Sequence, residues 1–114
     1  MKYMLLIYAN YSELPELTPE ERQAAFQEWM SLTAEMQAAG VLLANHGLLP
    51  VADATTVRVR NDKALIADGP FAETHEQLGG FYLVECKDLD EALGWAAKIP
   101  SAKQGTIEVR PLYA

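Results

Sequence analysis

Apolar residues recur along this chain in two rhythms that alternate. Tyr3-Met4-Leu5-Leu6-Ile7-Tyr8 is an unbroken apolar run rich in β-formers, which predicts a strand with neither face turned to water. From Thr18 the rhythm changes. Phe26, Trp29, Leu32, Thr33 and Met36 fall at steps of three and four, the single stripe of an amphipathic helix. Thr18 stands at the N-cap and Pro19 in the first turn, where its missing N–H costs nothing. Glu20 and Glu21 suit the positive end of the helix dipole. Gly40 closes the helix as its C′ residue.

Strand rhythm then returns. Val41-Leu42-Leu43-Ala44 opens a second strand that fades near Asn45-His46-Gly47. Thr56-Val57-Arg58-Val59-Arg60 alternates, which predicts a strand with one wet or ligand-facing side. Asn61-Asp62 makes a turn, and Ala64-Leu65-Ile66-Ala67 pairs back. Asp68-Gly69-Pro70 is a turn signal, and residues 71–80 read as a loop or short helical turn with Phe71 plugging the core. Phe81-Tyr82-Leu83-Val84-Glu85-Cys86 is a further strand. Asp88 caps a second helix with Leu89, Ala92, Leu93 and Ala96 on one stripe, and Pro100 stops it. Thr106-Ile107-Glu108-Val109-Arg110 is the last strand, with Pro111 marking an edge or strand end.

Setting the small hairpin strand aside, the order is βαββαβ. The expected fold class is therefore α+β, a ferredoxin-like sheet with two helices on one face, in one domain over residues 1–114. Two helices cover only one face of that sheet. The strands at 3–8 and 81–86 are apolar on both, so the bare face is too large an apolar patch for a monomer. A second copy packed sheet against sheet covers it, and a homodimer is expected.

Composition narrows the function classes. The chain has 114 residues, half of them hydrophobic and 22% charged, an ordinary balance for one domain. Its net charge is −7, which argues against nucleic acid and against an anionic membrane surface as partners. The one cysteine, Cys86, allows no internal disulfide and fits a reducing cytosol as a small buried hydrophobe. The apolar start is at the short limit of a signal-peptide core, and no run approaches the ~20 residues of a membrane span. A cytoplasmic protein is expected. There is no P-loop, dinucleotide fingerprint, Gly-x-Ser-x-Gly elbow or zinc pattern, so neither a cofactor nor a metal is expected.

The stretch Asp68-Gly69-Pro70-Phe71-Ala72-Glu73-Thr74-His75-Glu76-Gln77-Leu78-Gly79-Gly80-Phe81-Tyr82 resembles the signature of the YCII-related family, in its DGPF-domain subgroup. The opening strand, Ala54–Arg58, Asp88–Ala92 and Ile107–Pro111 look like the family's other landmarks. The resemblance implies a dimeric α/β barrel built on the ferredoxin-like fold, with biochemical function largely unassigned. YciI-type relatives carry a His–Asp pair, partly on the first helix. Here residues 19–39 contain neither His nor Asp, so that pair does not transfer. His75 stands where DGPF members more often carry Lys. Genes of this type often lie beside genes for sigma factors, which keeps an interaction or regulatory role open as the alternative to a binding or enzymatic one.

Several residues could carry chemistry. Asp68 reads either as a turn residue bonding its own backbone or as a carboxylate at a pocket mouth acting as base. His46 and His75 are the other acid–base candidates, with Glu73 placed to raise the pKa of His75. The bland readings are a structural histidine and a solvated loop. Tyr8 and Tyr82 sit in apolar strands, where a phenol finds one hydrogen bond or orients a ligand. Arg58, with Arg60 and Arg110, makes either edge salt bridges or a spot for an anionic ligand.

Overall fold

The computed structural model describes residues 1–113 of the chain. Six strands and two helices follow in the order β1 (Lys2–Ala9), α1 (Pro19–Ala38), β2 (Leu42–Gly47), β3 (Thr55–Arg60), β4 (Lys63–Asp68), β5 (Gln77–Glu85), α2 (Leu89–Ala97) and β6 (Thr106–Pro111). Four strands form an antiparallel sheet in the order β2-β5-β1-β6, and β3-β4 form a separate two-stranded sheet. Ignoring the hairpin, the order places the first strand beside the third and the last, an α+β arrangement compatible with a ferredoxin-like fold. The strands of this one chain close no barrel.

The core lies on one face of the four-stranded sheet. Alternate residues Tyr3, Leu5 and Ile7 of β1 and Tyr82 and Val84 of β5 are buried together with Leu32 and Met36 of α1 and Ala92 and Ala96 of α2. Both helices thus share one face. The first helix starts on a complete capping box: the Glu21 amide donates to Thr18 Oγ1 at 3.1 Å, and the Thr18 amide donates to Glu21 Oε1 at 3.0 Å. It ends at Gly40, whose φ of 73° only a residue without Cβ adopts freely.

The helical stripes are half right. Phe26 is 58% exposed, because the N-terminal half of α1 stands away from the sheet. Leu89 and Leu93 are exposed while Ala92 and Ala96 are buried; α2 meets the sheet through its small side chains. Phe71 is 76% exposed, so it plugs no core. The strand expected from Phe81 begins earlier, at Gln77, since Tyr8 and Ala9 supply ladder partners for Leu78 and Gln77.

The opposite face of the sheet has no cover. Cross-strand partners put His46, Phe81, Leu6 and Glu108 in one row there, and Ala44, Leu83, Met4 and Arg110 in the next. Leu6, Met4, Phe81, Leu83 and Tyr8 are half-buried on it. The hairpin turns at Asn61 and Asp62, both with positive φ, the left-handed pair that a two-residue turn requires. It projects from the body, and all but Thr56 of its residues are exposed.

Candidate functional site

Where α1 stands off the sheet, the gap is a cleft of about 940 Å³. That volume lies within the range of small-molecule sites. One wall is the middle of α1, through Phe26, Trp29, Met30 and Thr33. The floor is the end of the sheet, with Asn45, Gly80 and Tyr82, and Tyr11 and the turn at Ser101–Gln104 complete it. A smaller cleft of about 470 Å³ lies between the 48–52 segment and Gln77–Gly79; it is lined mainly by apolar groups, which offer little to orient a ligand.

The large cleft has a defined centre. The rings of Trp29 and Tyr82 lie 6.2 Å apart with only 10° between their planes, an offset stack. Thr33 Oγ1 lies 2.9 Å from the Trp29 carbonyl oxygen and 3.0 Å from Tyr82 Oη. The threonine hydroxyl has one hydrogen. Given to the Trp29 carbonyl, it leaves Thr33 as acceptor, so Tyr82 donates. The Tyr82 oxygen therefore keeps acceptor capacity at the floor of the cleft, where 2% of the residue is exposed. Burial pushes its phenol above the ordinary tyrosine value, and the Thr33 hydrogen bond lowers it in part; it is neutral at physiological pH. Burial likewise raises Tyr11. Glu21, Glu28 and Lys103 bring charge to the lining, two carboxylates against one ammonium.

Gly80 shapes the floor. A Cβ there would come 2.7 Å from the His46 carbonyl oxygen, a backbone atom that cannot swing aside. Glycine lets β2 approach β5 where both border the cleft.

Of the residues singled out from the sequence, Tyr82 and His46 border this cleft. The His46 ring itself tilts against Phe81, with centroids 5.9 Å apart, on the uncovered side of the sheet. Tyr8 lies on the uncovered sheet face, opposite Leu78 and Thr106. Asp68 is exposed at the end of β4, paired with Thr55, and Arg58 is exposed on β3. Glu73 and His75 lie in the segment before β5, where His75 Nδ1 is 3.5 Å from Asn10 Nδ2. Among the described residues, no three His, Cys, Asp or Glu side chains are grouped as metal ligands, and no helix is long and apolar enough to cross a membrane.

Trp29 and Thr33 were read only as core stripe. The signal that marks them is a hydroxyl set four residues after a tryptophan on an otherwise apolar stripe. Tyr11 and Asn45 carried no pattern to find them by.

Two comparisons with known proteins bear on identity. An uncharacterised protein of Rhizobium meliloti (strain 1021) is 38% identical over 114 residues, covering 98% of this chain and 92% of the relative. The family model for the YCII-related domain matches residues 1–114. With the whole chain matched, this protein belongs to the YCII-related domain family.

Proposed function

We propose that the protein is a homodimer in which each α1 cleft binds a small planar molecule that donates hydrogen bonds and is neutral or cationic. One observation carries this reading: a stacked Trp29–Tyr82 pair faces a cleft of about 940 Å³, with the Tyr82 donor already committed to Thr33. The half-buried Trp29 and the exposed Phe26 on the α1 wall favour a flat ligand. An acceptor oxygen favours a donor group, and the excess of carboxylates disfavours an anion. Within one chain Asp68, His46 and His75 stand on three separate segments, so the proposal is binding rather than acid–base turnover. The uncovered apolar sheet face supports the homodimer, and the Asp68-Gly69-Pro70-Phe71 run supports placement in the DGPF subgroup.

Benzamidine, a planar cation, tests the cleft. In a Trp95→Phe background Trp29 is the sole indole. Benzamidine should quench its fluorescence saturably, benzoate should not, and Tyr82→Phe should weaken benzamidine by up to about tenfold, the worth of one hydrogen bond. Unsaturable quenching, equal for benzamidine and benzoate, contradicts the reading.

A further inference from the structure

The β3–β4 hairpin has two unlike faces. The ladder pairs Val57 with Ile66 and Val59 with Ala64 on one face, and Arg58 with Leu65 and Arg60 with Lys63 on the other. The first face is apolar over these two pairs, with Thr55 and Asp68 at its base, and the second carries three cations. The apolar face is bare, with Val57 62% and Ile66 72% exposed. An isolated two-stranded hairpin is marginal in water and needs a packing partner. Among the described residues its own chain does not supply one. The molecule is a slab 48 × 42 × 19 Å with a radius of gyration of 16.2 Å, against about 13 Å for a compact chain of this length. At 19 Å the slab is one helix layer on one sheet, so the hairpin extends sideways in that layer and does not fold back across the open face.

We infer that the hairpin is an arm whose apolar face grips a second copy of this chain. This rests on the homodimer reading and adds to it the element that completes the interface. Area is the argument. Four strands about 4.8 Å apart and six to nine residues long give an open face of only roughly 460 Å². A stable interface takes about 800 Å² from each partner. The hairpin face that carries Val57 and Ile66 measures ~190 Å² on the same spacings. Under twofold symmetry each copy gives one arm and receives one, which brings the area per copy close to the required value. Sheet face alone falls short by about 40%. The basic face, with Arg58, Arg60 and Lys63, then remains toward solvent at the rim, where charge is tolerated.

Sedimentation equilibrium of the full chain tests the arm, with Val57→Lys/Ile66→Lys against the wild type and Leu65→Lys on the opposite face as control. The double variant should raise the dimer dissociation constant by more than about tenfold, since two apolar side chains leave the interface. Leu65→Lys should stay within about twofold. Urea unfolding of the double variant checks that the body is intact, as neither residue packs in its core. If the wild type dimerises and the double variant dimerises equally well, or if Leu65→Lys weakens it as much, the arm is wrong and the sheet-face dimer stands. If the wild type is monomeric, the homodimer reading fails and the arm with it.

Discussion

Single residues set the chemistry of the cleft, and one outside it sets a pH response. Thr33 spends its only hydrogen on the Trp29 carbonyl and so turns the Tyr82 phenol inward as a donor. That one polar atom in the stripe decides which ligand group the phenol can meet. Cys86 makes no such contact. It is buried beside β1, where the N-terminal ammonium donates to its carbonyl at 2.8 Å. Burial pushes its thiol up to about 11, aided by Glu91 and Asp88 and partly offset by the N-terminal charge. The folded pKa therefore lies above the ordinary value of 9.0. A raised acid keeps its proton more tightly when folded, so its contribution to stability is full below pH 9 and is lost as pH climbs through 11. Urea unfolding of the wild type should thus weaken more between pH 8.5 and 10.5 than that of Cys86→Ala. Parallel loss in the two proteins contradicts the burial account.

At the scale of elements, much was legible where a local rule governs. The Thr18 cap, the turn at Asn61-Asp62 and the Asp88 cap all follow from residues near in sequence. Thr18→Ala should cost about 1 kcal/mol of unfolding free energy by chemical denaturation; no change in the midpoint would mean that α1 does not depend on its cap. Less was legible where the outcome depends on distant partners. Periodicity puts Phe26 and Leu32 on one stripe, but only Leu32 has a sheet beneath it. The 81–86 run hid four more strand residues, because Gln77 and Leu78 join the ladder through β1 rather than through their own apolar character. The cleft was legible only in part, through Tyr82 and His46. Asp68, Arg58, His75 and Glu73 drew notice by residue type, while the cleft is built from Trp29 and Thr33, which have the spacing of ordinary core.

For the whole molecule, the decisive feature is the imbalance between the two sheet faces. One carries both helices and the core. The other shows Met4, Leu6, Tyr8, Phe81 and Leu83 with nothing over them. The hairpin repeats the imbalance on a smaller scale. A chain with net charge −7 keeps its apolar surface from indiscriminate association through self-repulsion, while a twofold contact between matched faces remains available. Native mass spectrometry of the full chain in the presence of benzamidine reads assembly and binding together. The account predicts a dominant species at twice the chain mass carrying two bound benzamidines. A dominant single chain, or a species with no benzamidine retained under conditions where a known benzamidine-binding protein keeps it, would contradict it.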